Sequence, residues 1–574
     1  MSDWIRTTTT DDELRYSLVG LLRSVFRSIF CGSTLKQNSL TIHELGSVAR
    51  LSAGAYELFG GVASVLLRGE MVNRSTQVLV VGGGPAGSTV ASLLAREGID
   101  VTLMEKENFP RYHIGESLVP SCVPILELLG VRDKIESHGF QKKCGALFDW
   151  GGERWDVTFG EKSDEGTYSY QVQRAEFDHL LLEHAKSLGV TVLEGVEVKR
   201  LVFDGDRPRS AIWVEAGSDD KVQEHEIGFD YIIDASGRAG LMNARHLRTR
   251  RYHDVFQNIA VWGYWEGAKP LPAGPEGAIA ICYVTDGWLW GIPLSDGQFS
   301  VGLVTHKDLF RTKRQEGQSL DEIYQAAIKE SPVIADMLAP AQLVSPLGTE
   351  KDYSYTSEQF AGPGYFLVGD AACFLDPLLS TGVHLAMYSA MVAAASLASV
   401  LRGEFTEGAA QQHYEKAYRQ AYLRLMLVVS SLYQKNGGTD SYFWEAQRLT
   451  LRDCSDVDLK QSFVDVISGI EDLRDAQATL DLALETTGKA MAEWGGWHWK
   501  PSDLNSSDLN GSEWKKALEQ NGDLDALSAE ERELQEVRSQ FFDTALQRPP
   551  TTLPEDARGL YVVTKPRLGL ALLS

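Results

Sequence analysis

The sequence lacks the features of a disulfide-stabilised, metal-dependent or membrane-spanning protein. Its six cysteines are scattered over 574 residues and none forms a C-x-x-C pair, so we expect neither a metal site nor a dithiol redox centre. Unpaired cysteines fit a reducing compartment, and we expect a cytoplasmic location. No stretch of about 20 apolar residues is free of charge, which argues against a transmembrane span.

Basic charge is also scarce. Lys and Arg number 55 against 79 Asp and Glu, a formal net charge of −24. Because such a field repels polyphosphate, we expect no nucleic-acid partner. The remaining composition, 43% hydrophobic and 23% charged, is that of a folded globular protein. At about 100 to 200 residues per domain, the length predicts two to four domains.

Three regions differ in their patterns. Residues 1–74 place apolar side chains at helical spacing between Leu14 and Ile29, and we interpret them as a helical N-terminal extension. Residues 75–435 alternate strand and helix patterns and carry every motif described below. Residues 436–574 are acidic and mostly helical in pattern, and we interpret them as a lid or a carrier-docking surface.

The first motif is a glycine-rich loop between a strand and a helix. An apolar strand is predicted at 77–81, a helix at 88–96 and a second strand at 100–105. The G-x-G-x-x-G spacing lets the backbone approach a pyrophosphate at the helix N-terminus, and an acidic residue ending the second strand can accept ribose hydroxyls. The predicted dinucleotide-binding residues are Gly82, Gly84, Ala86, Gly87 and Glu105.

Two later motifs resemble those of flavoprotein monooxygenases. The run G-Y-F-L-V-G-D-A-A at 364–372 resembles the motif whose aspartate, here Asp370, bonds the ribitol of FAD. Arg174, in V-Q-R-A-E-F-D, resembles the arginine on the adenine side of the same superfamily. Three motifs in the right order favour FAD over NAD.

Three further stretches resemble the FAD-dependent halogenases, in the branch of the chloramphenicol-pathway and fungal phenolic enzymes. They are F-P-R-Y-H-I-G-E-S at 109–117, W-L-W-G-I-P at 288–293 and D-P-L-L-S-T-G at 376–382. The resemblance covers about residues 76–435, and its W-x-W-x-I-P run is the most specific part. Within the first stretch, Arg111 and Glu116 are expected to contact FAD.

The resemblance implies an α/β flavoprotein monooxygenase fold. We expect a Rossmann-type FAD-binding domain, an antiparallel sheet over the substrate and a mostly helical C-terminal region. It also implies that reduced FAD, oxygen and chloride or bromide give hypohalous acid, which a lysine relays to the substrate. No second nucleotide-binding motif is present to bind NAD(P)H, so a separate flavin reductase is the implied partner.

The same resemblance implies the positions of the halide and of the wall between flavin and substrate. Thr381 and Gly382 begin a helix, whose free N–H groups favour an anion. Trp288 and Trp290 would keep the flavin apart from the substrate. On residue type alone, the first pair is also an ordinary helix cap and the second pair two core tryptophans.

Lys143 is the candidate catalytic residue. In F-Q-K-K-C-G-A at 140–146 it matches the family's lysine, thought to hydrogen-bond hypohalous acid or to form a haloamine. An apolar environment would lower its pKa. Lys142 is the alternative, and a solvated Lys-Lys pair is the ordinary interpretation of such a run.

One departure concerns the substrate. Tryptophan halogenases that resemble this pattern carry a glutamate directly before Ser-Thr-Gly, whereas this chain has Leu379. The substrate's own electron richness then has to provide its reactivity, which favours phenols, pyrroles or carrier-bound acyl groups. Because the C-terminal region is acidic, it suits a free aromatic substrate better than an acidic carrier protein.

Several interpretations stay open at this stage. Asp352 matches a position where some relatives link FAD covalently, and it also suits a solvated turn. His384 lies beside a flavin motif and is either functional or a packing histidine. An NAD(P)H-dependent aromatic hydroxylase of the same fold and an inactive flavin-binding scaffold are the alternative functions.

Overall fold

The structure, a computed structural model, describes residues 75–150, 153–159, 168–216, 223–433, 472 and 559–572. The predicted N-terminal extension 1–74 lies outside the described residues. So does the predicted C-terminal region 436–574, apart from Asp472 and residues 559–572.

Both strands and α-helices occur along the described residues. In chain order, the strands are β1 (Ser75–Val81), β2 (Val101–Glu105), β3 (Gln141–Lys143), β4 (Gly145–Trp150), β5 (Glu153–Thr158), β6 (Ser169–Gln171), β7 (Thr191–Glu194), β8 (Val196–Asp204), β9 (Arg207–Glu215), β10 (His225–Asp234), β11 (Arg250–Glu266), β12 (Ile279–Val284), β13 (Gly287–Pro293), β14 (Gln298–His306), β15 (Gln342–Leu343), β16 (Gly348–Ser357), β17 (Ala361–Gly362), β18 (Tyr365–Leu367), β19 (Leu560–Val563) and β20 (Gly569–Leu572). The α-helices are α1 (Pro85–Arg96), α2 (Cys122–Leu129), α3 (Arg132–His138), α4 (Arg174–Ser187), α5 (Lys307–Gln315), α6 (Leu320–Glu330), α7 (Pro332–Leu338), α8 (Gly382–Leu401) and α9 (Glu407–Tyr433).

The first sheet has the parallel core of a Rossmann-type domain. Its order is β17-β18-β10-β1-β2-β7, with β9 paired to β10 and β8 to β9. Val81 of β1 is opposite Asp234 of β10 and Met104 of β2, and Asp234 is opposite Leu367 of β18. The carboxyl ends of four parallel strands therefore meet at one edge, where ligands bind in folds of this kind.

Two helices, α1 and α8, pack against each other next to this sheet. Helix α1 begins at Pro85, three residues before the predicted start, because proline's fixed φ suits the first helical turn. Helix α8 packs against α1 and begins at Gly382, where a helix start was predicted. This helix carries no Asp, Glu, Lys or Arg and is long and apolar enough to cross a membrane, so the expectation that the sequence holds no such stretch was wrong. Its most apolar window is 94% buried inside the protein. Such burial is typical of a core helix.

The second sheet is the one that was predicted to lie over the substrate. Its order is β15-β11-β14-β13-β12-β4-β5, with β16 paired to β11. The prediction of an antiparallel sheet is confirmed except at one position, because β4 and β12 run parallel. One face packs on α6 and α7 through a buried core that includes Leu289, Val301, Leu303 and Ile334.

The opposite face carries alternating indoles and glycines. Across four strands, Trp290 is opposite Gly302, Gly302 is opposite Trp262, and Trp262 is opposite Gly348. A Cβ atom on Gly302 would overlap the Trp290 ring, and one on Gly348 would overlap the Trp262 ring. Each indole therefore lies over the neighbouring strand in space that only a glycine leaves open.

The described end of the chain is a β-hairpin, although this region was predicted to be mostly helical. Strands β19 and β20 pair with each other. The Leu570 N–H donates to Ser399 Oγ at 2.8 Å, and the Leu568 N–H donates to Glu97 Oε1 at 2.9 Å. The hairpin is thereby attached to α8 and to the end of α1.

Candidate active site

The glycine loop turns so closely against its surroundings that two of its positions have no space for a side chain. Gly82 has a φ of 106°, and a Cβ atom there would overlap the Ala235 carbonyl oxygen. A Cβ atom on Gly87 would overlap the Gly82 carbonyl oxygen, so only glycine permits this close turn. Glu105 is buried at the end of β2, and its Oε2 accepts the Gly83 N–H at 2.6 Å.

The second flavin motif lies against the first. A Cβ atom on Gly369 would come within 3.2 Å of Ala86 Cβ in α1 and 3.3 Å of Ala386 Cβ in α8. Asp370 follows in the same turn. Desolvation raises its pKa to about 6, and the nearby arginines Arg238, Arg174 and Arg250 oppose that rise. An acidic hydrogen-bonding group thus lies next to the residue that contacts α1 at Ala86.

One buried carboxylate, missed by the sequence reasoning, organises both predicted arginines. Asp178 accepts from Arg174 through both oxygens, at 2.8 and 2.9 Å, and from Arg111 at 3.0 Å. Burial alone would raise the pKa of Asp178, but these guanidinium groups hold it below its ordinary value. Arg111 Nη2 is also 3.4 Å from where a Gly84 Cβ would lie, which places a cation over the glycine loop.

Glu116 is buried beside the indole–glycine face of the second sheet. Its Oε1 accepts the Tyr264 hydroxyl at 2.6 Å, while its Oε2 has no hydrogen-bond partner among the described residues. Burial raises the pKa of Glu116 to about 7, and the Tyr264 and Ser300 hydroxyls and Arg174 oppose that rise. Ser300 Oγ also accepts the Trp290 indole N–H at 3.2 Å, so the acid and the tryptophan share a neighbour.

Lys143 is buried, and Lys142 is exposed on the other face of the same strand. Lys143 is 2% exposed, and its Nζ donates to the Leu118 carbonyl oxygen at 2.9 Å. Burial lowers the pKa of Lys143 to about 7, and the nearby Cys122 thiol opposes that change. Lys142 Nζ instead lies 4.2 Å from the centre of the Tyr168 ring.

The two motif tryptophans lie on the face of the sheet that points away from its helix-packed core. Trp288 and Trp290 alternate with Leu289, which faces that core. Both indoles are buried, with ring centroids 6.1 Å apart and an interplanar angle of 54°.

The start of α8 offers free hydrogen-bond donors. Gly382 is its first residue, and the Thr381 side chain makes no capping hydrogen bond. Thr381 is 1% exposed, and its Oγ1 has no partner within the described ranges. The early backbone N–H groups of a helix lack intrahelical acceptors, so this end presents hydrogen-bond donors.

A chain of buried hydrogen bonds connects α8 to the segment that holds Lys143. His384 Nδ1 lies 2.8 Å from Ser121 Oγ, three residues beyond Leu118. His384 Nε2 lies 2.8 Å from Asp472 Oδ2, whose Oδ1 accepts Arg424 at 2.7 Å. The histidine is therefore a packing and bridging residue. It brings the start of α8 close to the segment at Leu118, whose carbonyl oxygen accepts from Lys143.

The remaining predicted positions differ in what the structure describes. Asp352 lies in β16 opposite Asn258, but its side chain is outside the described residues. No group of His, Cys, Asp and Glu that could hold a metal ion occurs in the part of the chain that is described. Asp178 carried one sequence signal, since it lies four residues after Arg174 on a predicted helix. Asp472 and Ser121 carried none.

Fold and site together define a flavin enzyme with the flavoprotein monooxygenase fold. The tryptophan halogenase family model matches residues 77–167 and 161–480. The chain is 44% identical to a tryptophan 2-halogenase of Chondromyces crocatus, over 86% of this chain and 94% of the relative. It is 39% identical to the flavin-dependent halogenase rdc2 of Metacordyceps chlamydosporia, over 62% and 71%.

Solved structures agree with these matches. The myxobacterial chondrochloren halogenase CndH has a TM-score of 0.59 and 37% identity, over 69% of this chain and 90% of its own. The halogenase CmlS has a TM-score of 0.58 and 31% identity, over 82% and 77%. The chain belongs to the flavin-dependent halogenases, enzymes that use FAD and a halide ion and generally work with a flavin reductase.

The residues present fit FAD. The loop at Gly82 and Gly87 leaves no space for side chains, an acid ends β2, and Arg111 lies over the loop. The Glu116 Oε2 and Thr381 Oγ1 atoms are buried without partners among the described residues. Such atoms are destabilising by about 1 to 3 kcal/mol each unless a ligand or water satisfies them.

Proposed function

We propose that this enzyme halogenates a small electron-rich aromatic compound and that Lys143 transfers the halogen. The observation that carries the proposal is the environment of Lys143. Its amine is buried, its pKa is lowered to about 7, and hydrogen bonds link its segment to the start of α8. A lysine at the solvated surface would have none of these properties.

In this proposal, the glycine loop and Glu105 hold the adenosine and pyrophosphate of FAD, Arg111 and Arg174 neutralise its negative charge, and Asp370 bonds its ribitol. Reduced FAD supplies the electrons that convert oxygen and a halide into hypohalous acid. Glu116 contacts the flavin from the side of the second sheet. A covalent link through Asp352 is a further part of the proposal.

The start of α8 binds the halide. Gly382 leaves the backbone N–H groups accessible, since nothing lies within 4 Å of where its Cβ would be. The helix dipole and the unpartnered Thr381 hydroxyl add donors without a fixed cation. The contact between His384 and Ser121 keeps this end beside the segment of Lys143.

The transfer step needs a proton donor and a proton acceptor, and one lysine provides both. The aromatic carbon attacks the halogen of hypohalous acid, and the oxygen–halogen bond breaks. The leaving hydroxide takes a proton from the Lys143 ammonium group and departs as water. The ring proton then passes to the lysine amine, which restores the ammonium group. A pKa near 7 suits a group that both donates and accepts.

Trp288 and Trp290 keep the substrate away from the flavin, so that the ring meets the halogen at Lys143 and is not hydroxylated directly. Two observations support this role. Both indoles lie on the face opposite the sheet's core, and Trp290 donates to Ser300, a neighbour of Glu116.

For the substrate, we infer a free phenol, pyrrole or indole. Leu379, which is 7% exposed, supplies no carboxylate, so the ring itself has to be electron-rich. The name of the 44% identical relative adds tryptophan to the compounds to be tested. A carrier-bound substrate is less favoured because the C-terminal region is acidic.

We further propose that residues 436–574 close the site as a lid and that the enzyme works in the cytoplasm with a separate flavin reductase. Two described parts of this region contact α8: Asp472 contacts His384, and the Leu570 N–H donates to Ser399 Oγ. The free thiols of Cys122, Cys144, Cys282 and Cys373 fit a reducing compartment.

The test supplies FAD, a flavin reductase, NADH, oxygen and bromide to the full chain with a panel of phenols, pyrroles and tryptophan. Bromine isotope patterns identify the products. Lys143→Ala should lower product formation by about 100-fold or more while flavin oxidation continues. Lys142→Ala is the matched control. A hydroxylated product formed with NADPH alone and independent of bromide would refute the proposal.

A further inference from the structure

Lys143 lies in a small three-stranded sheet, here called the ribbon. It is formed by β3, β6 and the segment at Ser117. Strand β3 pairs with β6, with Lys143 opposite Ser169. On the other side of β6, Ser117 is opposite Gln171. Two backbone hydrogen bonds flank this pair: the Leu118 N–H donates to the Tyr170 carbonyl at 2.9 Å, and the Val172 N–H donates to the Glu116 carbonyl.

Five polar side chains share one face of this ribbon, and four of them are buried. Residues directly opposite each other in an antiparallel pair point to the same side, and so do residues two apart in one strand. The buried set consists of Ser117, Lys143, Ser169 and Gln171. Gln141, opposite Gln171, is the fifth; it is only partly buried, and its Nε2 donates to the Lys142 carbonyl at 2.9 Å. The opposite face carries Lys142 and Tyr170, which agrees with the position of Lys142 over the Tyr168 ring.

These four side chains are buried, and three of their polar atoms have no hydrogen-bond partner among the described residues. Exposures range from 0% at Ser169 and Gln171 to 6% at Ser117. Ser117 Oγ, Ser169 Oγ and Gln171 Oε1 have no hydrogen-bond partner in the described part of the protein. Gln171 Nε2 donates to the Gly277 carbonyl at 3.0 Å, which fixes the amide and identifies its oxygen as the free atom.

The chemistry of these groups defines a complementary ligand. The two hydroxyls both donate and accept, the amide oxygen only accepts, and the ammonium group of Lys143 has two protons beyond the one used on Leu118. A ligand that satisfies all of them carries one oxygen that accepts several hydrogen bonds and has a proton of its own to donate. Hypohalous acid has such an oxygen, and its halogen end needs no donor or acceptor.

We propose that Ser117, Ser169 and Gln171 form an oxygen cradle that holds hypohalous acid by its oxygen beside Lys143, with the halogen directed at the substrate. The inference rests on the proposed function and adds three positioning residues to it. Gln171 Oε1 accepts a hydrogen bond from the O–H group of hypohalous acid. The apolar side chain of Leu379 cannot accept one. The two hydroxyls donate to the oxygen as it becomes hydroxide, so they stabilise the leaving group.

The test measures where the hypohalous acid goes. Full-length enzyme is supplied with reduced FAD, oxygen, bromide and an aromatic substrate that the wild type halogenates, plus monochlorodimedone in solution as a scavenger. Ser169→Ala and Gln171→Leu should oxidise flavin at the wild-type rate. Halogenated product per flavin oxidised should fall about tenfold, and bromination of the scavenger should rise correspondingly. Neither cradle variant should raise KM for the aromatic substrate.

The controls separate positioning from folding. Because Ser169 Oγ has no partner among the described residues, Ser169→Ala should unfold at the wild-type temperature, whereas loss of a structural hydrogen bond would lower it. Ser396→Ala removes another buried hydroxyl that lacks a partner in the same part of the chain, about 20 Å along α8 from its start. It should leave both product and scavenger yields unchanged.

The outcomes are distinguishable. A wild type that halogenates nothing contradicts the proposed function itself. A wild type that halogenates, with cradle variants that leak no more acid than it does, overturns the cradle. A raised KM for the aromatic substrate without leakage also overturns it, because the hydroxyls would then bind the substrate.

Discussion

Replacing the buried lysine should make the protein more stable, and the gain should depend on pH in a defined way. The unfolded chain keeps the Lys143 proton up to a pH of about 10.5, whereas burial lowers its pKa in the folded protein to about 7. Between these values the unfolded state binds more protons, so stability rises with pH. At one pKa unit per roughly 1.4 kcal/mol, the folded state loses about 4 kcal/mol at pH 7 and about 2 kcal/mol at pH 9.

Lys143→Met removes this loss together with the hydrogen bond to Leu118, which contributes about 1 kcal/mol. The variant should therefore be more stable than the wild type by about 3 kcal/mol at pH 7 and by about 1 kcal/mol at pH 9. Urea unfolding at the two pH values, followed by tryptophan fluorescence, measures the difference.

Lys142→Met is the matched control. Its exposed ammonium group lies over the Tyr168 ring, so the change should stay within about 0.5 kcal/mol at both pH values. A Lys143→Met variant that is less stable than the wild type at pH 7 would contradict the lowered pKa of Lys143 in the folded protein. A gain in stability that is as large at pH 9 as at pH 7 would contradict it as well.

Three other perturbations follow from the contacts. Asp472→Asn leaves the buried Arg424 without its carboxylate and should lower stability by about 3 kcal/mol in thermal or urea unfolding; wild-type stability would refute the buried contact. Asp178→Asn should weaken FAD binding at least tenfold in a fluorescence titration, because Arg111 and Arg174 lose their shared partner; an unchanged Kd would contradict it. Gly302→Ala should lower stability by about 1 to 3 kcal/mol, since the new methyl group overlaps Trp290; Trp290→Ala in the same chain should recover part of that loss, and no recovery would refute the overlap.

Local patterns predicted the parts of the fold that depend on neighbours in sequence. The apolar run before Gly82, the glycine spacing and the acid at Glu105 predicted the first β-α-β unit, because each step of it is short. The Ser-Thr-Gly run predicted the start of α8 correctly. The start of α1 was placed late because the proline at Pro85 was assigned to the loop.

Contacts between distant residues could not be predicted in the same way. Asp472 reaches His384 across 88 positions, and no periodicity encodes that pairing. The parallel pairing of β4 with β12 is equally non-local. The cradle was missed because Ser117, Ser169 and Gln171 are ordinary polar residues in sequence, and only their pairing with one another shows that they are buried without partners among the described residues. The roles of Lys143, Thr381 and Gly382 stay predictions until the variants are measured.

The indole–glycine row has an evolutionary consequence. A tryptophan in it can be shortened while its glycine neighbour stays, because the change only empties space. The glycine cannot gain a side chain while the indole lies over it. Any lineage or directed-evolution experiment that reshapes this wall should therefore lose the large residue first and gain bulk on the adjacent strand afterwards. When Gly302 or Gly348 is randomised in the parental background, almost all folded, active variants should carry glycine at that position.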